Sequence, residues 1–514
     1  MQTKEAIKTY LLSRKVGSKL AVFQYLLKYP AYLSHSYLIK NCHISENTLT
    51  LYLKELNQDL QQKVAPTIRV ISRHGFTALD LSGLDSAECY YKLLGAYCKE
   101  ATNYRIVTSL LNRKVNSIVA LSHETNFSVP YLYSRMKEID QFLALFGLAI
   151  SFTKSGERKI VGTEIQIQYC LIDVYWRIFA NTELPFREKE TLNTFQLVDH
   201  YLDFHLADRL TSGQLDKVAL VLMLCTDNFP FTSFETVKTN IAKYPSNRIF
   251  LQPELDFLKS DLDLCDEQRI ILNILLRLTT AKVGTDEENY RHYIIFQENH
   301  SPFFDTAKDL VDALMKQFDL AIPENKQVLA ILNICRNRLF NTYLHPAQPN
   351  MVLPSVSMQQ DDPTFRSFMK RLRKFYQKFD QENPQYSADL EKENVDWIME
   401  DLFHLYDCYR QIEPLRVGVN CTSNYYVSDD IIGKIQQVFT DDLQLQKSQM
   451  AECDIVISDC PLPDLAPETK KIYFIDGLAN RDSLQLLMER LAQEIFALKN
   501  QLPTEVTSKN RLKH

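Results

Sequence analysis

Glycine is scarce in this chain, with 12 residues out of 514, against roughly 36 at an average usage of about 7%. So few glycines leave little material for tight turns or for bare-backbone loops that cradle phosphate, and a mostly helical fold is expected. No GxxxxGK followed by Ser or Thr, no HExxH and no GxSxG occurs, which removes the commonest phosphate-loop, zinc-hydrolase and serine-hydrolase chemistries. No apolar run reaches the roughly 18 residues of a membrane span. The start, Met1-Gln2-Thr3-Lys4-Glu5, leads into mixed polar sequence without the apolar core of a signal peptide. The 11 cysteines are scattered singly, without one CxxC. A disulfide framework and a zinc site are therefore not expected, and a reducing cytoplasm is. No cofactor is expected either.

What is present is an ordinary globular composition, 45% hydrophobic and 24% charged, in a length that suits roughly three to five domains. The net charge of −6 hides an asymmetry. Residues 1–165 carry 21 Lys+Arg and 13 Asp+Glu, a balance of +8, while the remainder balances at −14. A basic first third on an acidic body points to nucleic acid at one end.

That basic third contains the same pattern twice. In the second copy, Ser117-Ile118-Val119-Ala120-Leu121 opens a short helix, and His123-Glu124-Thr125-Asn126 reads as a turn. A longer helix is predicted from Ser128 to about Phe146, with Ser128 as cap and Pro130 in the first turn. Leu132, Met136, Ile139 and Leu143 form its buried stripe; Pro130, Ser134, Lys137 and Gln141 lie opposite, flanked by Tyr131, Tyr133 and Arg135. Leu148–Phe152 and Ile160-Val161 then flank Lys154, Arg158 and Lys159, a wing with a basic tip. In the first copy, helices are predicted over Ser18–Lys28 and Ser34–Asn41, with Cys42-His43-Ile44 as turn and Ser45 capping a third helix. Leu49, Leu53, Leu56 and Leu60 are its stripe; Asn47, Thr48, Thr50, Lys54 and Gln58 face away. Thr67–Ile71 and Phe76–Leu81 flank Arg73-His74-Gly75, a second wing that also carries Arg69. Helix, turn, helix and wing suit a reader of duplex DNA. The expected contact residues are Ser45, Asn47, Thr48, Thr50, Lys54, Arg69, Arg73, Ser128, Tyr131, Tyr133, Ser134, Arg135, Lys137, Lys154, Arg158 and Lys159. Asn and Arg can pair with base edges, while Lys, Ser, Thr and Tyr suit phosphates. Residues 1–16 either pack as a short helix or make an arm to phosphate.

Beyond Thr163 long helical periods dominate, at Ile167–Phe179, Leu197–Leu210, Val218–Cys225, Glu267–Thr280, Phe304–Phe318 and Lys326–Leu339. Two helical halves meeting near Thr285-Asp286 are expected. The basic run Lys370–Lys374 reads as an exposed helix face. From about Pro414 strands alternate with helices: Leu415–Val419, Ser428–Phe439, Cys453–Ser458, Lys471–Ile475 and Asp482–Lys499. That order implies a small parallel α/β sheet. The tail from Gln501 is polar and expected to be disordered.

The order of these parts resembles the Mga/AtxA-type transcription regulators of Gram-positive bacteria. The resemblance covers nearly the whole chain; Ser45–Leu60 with its wing and Ser128–Gly147 carry it, notably Tyr131-Leu132-Tyr133-Ser134-Arg135 and Leu145-Phe146-Gly147-Leu148. It implies a mostly α, multidomain protein: winged helix-turn-helix units at 1–82 and 83–165, PRD-like helical bundles at 166–285 and 286–411, an EIIB-like α/β domain at 412–500, and a polar tail at 501–514. PRD modules take their name from regulation by the sugar phosphotransferase system, whose phosphocarrier protein can phosphorylate their histidines. His200, His205, His300 and His345 are the candidates here. His200 and His205 lie five apart, about 140° around one helix. The resemblance further implies a cytoplasmic, non-enzymatic activator of virulence or metabolism that binds double-stranded promoter DNA and forms a homodimer through its C-terminal domain, with no membrane contact.

Two other readings remain. In an EIIB domain the end of the first strand holds a phosphorylated cysteine, and Cys421 stands there, so the chain can be read as a phosphotransferase component carrying phosphate on Cys421 or a histidine. The residues after it, Thr422 to Ser428, contain no glycine to hold that phosphate. The third reading is a scaffold that binds protein through its helical middle.

Overall fold

The computed structural model describes residues 6–29, 31–111, 115, 117–152, 159–183, 194–202, 210–227, 245–253, 255–279, 285–344, 363–384, 395–410, 413–422, 426–439, 442–447, 449–462, 471–475 and 481–500. The chain is mostly helical, with small sheets, and divides into two compact units. One comprises Met1–Ala313, Pro323–Leu353 and Asp380–Asp401; the other comprises Leu314–Ile322, Pro354–Phe379 and Leu402–His514.

The first unit opens with a short π-helical turn, Ile7–Leu11, and then α1 (Arg14–Lys28), which Ser13 caps. A two-residue strand β1 (Leu33–Ser34) leads into α2 (His35–Cys42), a left-handed residue at His43, and α3 (Glu46–Lys63). Strands β2 (Arg69–Arg73) and β3 (Phe76–Asp80) form an antiparallel hairpin, with β1 added on the outer side of β3. Its two-residue loop, His74-Gly75, has positive φ at both positions (49° and 76°), the type I′ geometry that follows strand twist. Two further helices, α4 (Ser86–Glu100) and α5 (Thr102–Leu111), lack a counterpart among the sequence-based expectations. Then come α6 (Ile118–Thr125), α7 (Val129–Ala144), and the paired strands β4 (Ala149–Ile150) and β5 (Ile160–Val161).

Packing settles the role of the first residues. Ala6, Ile7, Leu11 and Leu12 are buried, so Ile7–Leu11 is a core segment and not a free arm. It lies against α7: the Tyr10 ring is 6.5 Å from that of Phe142, and Asn103 donates to the Tyr10 carbonyl at 2.6 Å.

Helix α8 (Glu164–Phe179) is buried on nearly every face, which marks a central element and not an amphipathic surface one. A capping box of Thr163 and Gln166 starts it. Helices α9 (Thr194–Tyr201), α10 (Ser212–Leu222), α11 (Asp266–Thr279), α12 (Asp286–Glu298), α13 (Pro302–Phe318) and α14 (Glu324–Leu344) follow. Helix α12 begins where Thr285 and Glu288 form another capping box. After α15 (Pro363–Glu382), α16 (Val395–Tyr409) is tied to α14 by Asn333 and Asn337, which both donate to the Asp401 carboxylate, Asn333 at 3.1 Å. On α15, Lys370, Arg373 and Lys374 are exposed and Leu372 is fully buried, as an exposed face with an apolar rear requires.

The second unit holds the expected parallel sheet, in the order β7-β6-β8-β9: β6 (Leu415–Asn420), β7 (Leu443–Gln446), β8 (Ile455–Ser458) and β9 (Lys471–Phe474). Helices α17 (Val427–Phe439) and α18 (Arg481–Asn500) supply Ile431, Ile435, Leu487, Leu491 and Ile495 to one core with Val417, Val419, Ile455 and Ile457. The chain turns one way from β6 to β7 and the other way to β8, so the switch point lies at the carboxyl ends of β6 and β8. Among the described residues no helix is long and apolar enough to cross a membrane, and no cluster suits a metal ion.

Candidate nucleic-acid interface

The candidate interface is built from α3 and α7. Ser45 stands before α3 in extended conformation, and its hydroxyl accepts from the Thr48 N–H at 3.2 Å. Leu49, Leu53, Leu56 and Leu60 are all buried, which fixes the rotation of the helix against α2 and α1. The face left open is Asn47, Thr50, Leu51, Lys54 and Gln58, at i, i+3, i+4, i+7 and i+11.

Helix α7 repeats this plan position for position. From Ser34 to Lys63 each residue has a counterpart 83 places later, without a gap, through Phe146. Ser34 and Ser117 cap the first helix of each pair by accepting from Tyr37 and Ala120. Leu38 and Leu121 are the fully buried anchors of those helices. His43 and Asn126 both take the left-handed conformation (φ 51° and 58°) that turns the chain between helices. Leu132, Ile139 and Leu143 are fully buried; Met136 is only half-buried, and Phe142 with Phe146 supplies the rest of the core. The open face is Pro130, Tyr133, Ser134, Lys137 and Gln141, at the same five offsets.

The charges behind the α3 face are paired, and among the described residues the lysines on the two open faces are not. Glu55 accepts from Lys15 at 2.6 Å and lies 3.3 Å from Lys19; Asp59 accepts from Lys19 at 2.7 Å and from the Tyr97 hydroxyl at 2.5 Å. The bond from Lys15 holds the Glu55 carboxyl below the usual carboxylate range, and burial first, then Asp59, pushes the Tyr97 phenol up. Lys54 and Lys137 are exposed, and neither makes a hydrogen bond or ion pair with a described residue. Arg73, exposed beside the hairpin loop, is equally uncommitted among described residues.

The remaining expected contacts separate by position. Thr48 bonds to Ser45 through its hydroxyl (2.7 Å), and exposed Thr50 bonds back to the Glu46 carbonyl (3.1 Å). Arg69 bonds to the carbonyls of Pro66 and Ile68 at the foot of its hairpin. Arg135 lies over the Tyr131 ring at 5.2 Å and 3.5 Å from Glu138, half-buried, so it braces α7. Tyr131 in turn meets Phe127 at 5.5 Å, and Arg105 caps Phe127 at 5.0 Å, a stack of two rings between two guanidinium groups. Ser128 occupies the cap position of α7 with its side chain making no cap bond, unlike Ser45 before α3. Lys159 is 7% exposed at the foot of β5, its carbonyl accepting from Ser151, so the wing turns it inward and not toward a groove. Lys154 and Arg158 lie outside the described residues.

Sequence reasoning missed the parts that fix the wings and the rear of α7. Asn57 accepts from the Val70 N–H at 2.8 Å and Asp140 from the Ile150 N–H at 2.8 Å. Asn103 joins Glu138 (2.9 Å) to the Tyr10 carbonyl. No local pattern marks such long-range pairs.

Of the candidate phosphate acceptors, His200 is exposed on α9 with its ring edge-on to Tyr201 at 4.8 Å, and His300 is exposed just past α12 at φ 46°. His205 and His345 lie outside the described residues. At the sheet's switch point, half-buried Cys421 follows β6. Burial pushes its thiol up, Asp459 and Cys460 add to this, and a bond with Ser428 opposes it. The next N–H, that of Thr422, is taken by the Asp459 carboxylate (2.8 and 2.9 Å), which also accepts from the Thr422 hydroxyl at 3.1 Å.

Residues 90–175 match the family described as the Mga helix-turn-helix domain. The matched stretch takes in most of α4, all of α5 to α7 and β4–β5, and most of α8. The chain is also similar to the capsule synthesis positive regulator AcpB of Bacillus anthracis, 21% identical over 263 residues, which are 47% of this chain and 51% of that protein. It thus spans about half the length of this curated relative. The Mga domain and this likeness together bear out the resemblance to the Mga/AtxA-type regulators.

Proposed function

We propose that the chain is a DNA-binding transcription regulator whose two N-terminal units act as winged helix-turn-helix modules on double-stranded promoter DNA. One observation carries this reading. Two position-matched helices in the basic third of the chain leave open faces of the same spacing, each with a lysine that has no bond or ion pair among the described residues, Lys54 and Lys137. The match to the Mga helix-turn-helix domain over residues 90–175 and the likeness to a capsule synthesis positive regulator support it. In this reading Lys54, Lys137, Arg73 and Ser128 hold phosphates, and Asn47, Thr50, Tyr133 and Ser134 face the groove. Ser45, Thr48, Arg69, Tyr131 and Arg135 position those residues; Lys154 and Arg158 serve the second wing.

The finer layout belongs to the same proposal. Residues 166–285 and 286–411 act as PRD-like bundles that accept phosphate from the phosphocarrier protein, with His200 and His300 exposed enough to meet a donor. Residues 412–500 form an EIIB-like domain through which two copies pair. Phosphotransfer on Cys421 is the weaker reading, since its thiol is pushed up and Asp459 already fills the adjacent N–H.

The test is binding of the full chain to promoter DNA at several salt concentrations. Affinity should fall steeply with salt, and Lys54→Ala with Lys137→Ala should make the logarithmic slope shallower by about two. Affinity indifferent to salt would overturn the proposal.

A further inference from the structure

The helix pairs of the two heads match residue for residue and share most of their buried stripe, so their differences on the open face carry information. Aligned by the 83-residue offset, Lys54 matches Lys137 and Gln58 matches Gln141. The three positions nearer the helix start differ: Asn47 against Pro130, Thr50 against Tyr133, and Leu51 against Ser134. In a helix lying in the major groove, residues toward its N-terminus reach base edges, and later ones lie near the backbone. The kept pair therefore sits where sequence-independent grip belongs, and the changed trio where bases are read.

Leu51 is the sharpest of these. It is 48% exposed in the middle of a polar face, between Thr50 and Lys54, although the fully buried leucines of α3 are on the opposite side. No fold requirement puts an apolar side chain there, since Ser134 serves at the matched position of the same fold. An apolar side chain on a groove-facing helix has one natural counterpart on duplex DNA, the C5 methyl group of thymine. Charge supports duplex DNA as the occupant: the face carries Lys54 and its hairpin carries exposed Arg73, both without a bond or ion pair among the described residues, in a segment balanced at +8.

We propose that Leu51 reads a thymine methyl group and that the two heads, sharing their grip, read different sequences, so that one chain recognises two unlike elements. This rests on the DNA-binding reading above. Serine at the matched position makes the second head indifferent to that methyl group.

The experiment selects duplexes from a randomised pool with the full chain, then replaces each thymine of the winner singly by uracil, which removes only the methyl group. At one position or more, uracil should weaken binding about three- to fivefold, the worth of one methyl group withdrawn from water. That penalty should vanish in Leu51→Ser, and Ser134→Leu should create a new sensitive position in the other element. A penalty that persists in Leu51→Ser, or no sensitive position at all, overturns the assignment while leaving DNA binding intact. Two elements of the same sequence would overturn the division between heads. Failure of the DNA-binding reading looks different: no duplex is enriched, and Lys54→Ala and Lys137→Ala change nothing.

Discussion

Asn57 and Asp140 occupy the same position on the two capped helices and do the same work: each accepts the N–H of the first strand of its own hairpin at 2.8 Å. One side-chain oxygen in each unit thereby ties the helix to its hairpin. Removing it by Asn57→Ala leaves the half-buried Val70 N–H without its partner, at a cost of about 1–3 kcal/mol. The expected outcome is a lower unfolding midpoint with faster amide exchange at Val70, and weaker DNA binding although no groove-facing residue has changed. Exchange at Val70 as slow as in the parent would refute this.

Gly95 of α4 is where that helix meets α8. A Cβ at this position would stand 2.9 Å from two carbons of the Phe179 ring. Alanine is the better helix former by about 1 kcal/mol, yet Gly95→Ala is expected to destabilise by about 1–3 kcal/mol, because the buried ring cannot withdraw. Chemical denaturation measures it, and a gain in stability would show that the ring does move.

Cys421 and Asp459 give a prediction about reactivity. Asp459 helps hold the thiol protonated, and Ser428 favours the thiolate. At fixed pH, Asp459→Asn should therefore speed alkylation of Cys421 by iodoacetamide, and Ser428→Ala should slow it, because only the thiolate attacks. Peptide mass spectrometry after timed labelling separates Cys421 from the other ten cysteines. Equal rates in all three proteins would dismiss the electrostatic account.

Asp401 supplies a pH dependence. Burial pushes its carboxyl up to about 6, opposed by the bonds from Asn337 and Asn333 and by the charge of Arg336. A carboxyl raised on folding binds its proton more tightly in the native state. Stability should thus rise as pH falls from 6 to the unfolded value of about 4, and be lower by a constant amount above 6. Asp401→Asn should flatten that slope and stabilise the protein at neutral pH. Denaturation midpoints at several pH values will show it; a slope kept in the variant would place its origin elsewhere.

Much of this fold was legible because a 3.6-residue period is local. Leu49, Leu53, Leu56 and Leu60 announced α3, and all four are buried. Where the signal was weak the reading failed for physical reasons. Leu443–Gln446 is too short to stand out as a strand, and α12 is polar on most sides, with only Asn289 and Phe296 buried. The stripe of α7 was drawn through Met136, while Phe142 took the core position, because the helix turns toward the segment Ile7–Leu11 that no local pattern ties to it. At the candidate interface the open-face positions were legible as the complement of each stripe. The commitments of Arg135, Arg69 and Lys159 were not, since they depend on partners or burial that only the folded chain supplies.

The packing of Ile7–Leu12 against α7 bears on how the heads can be taken apart. A fragment cut to begin near residue 83, the obvious way to isolate the stretch that matches the Mga family, would strip Tyr10 from Phe142 and take away the carbonyl that Asn103 holds. Such a fragment would be sticky and poorly behaved for reasons unrelated to DNA. Point variants in the intact chain, and not dissection, are the sound way to apportion work between the two heads.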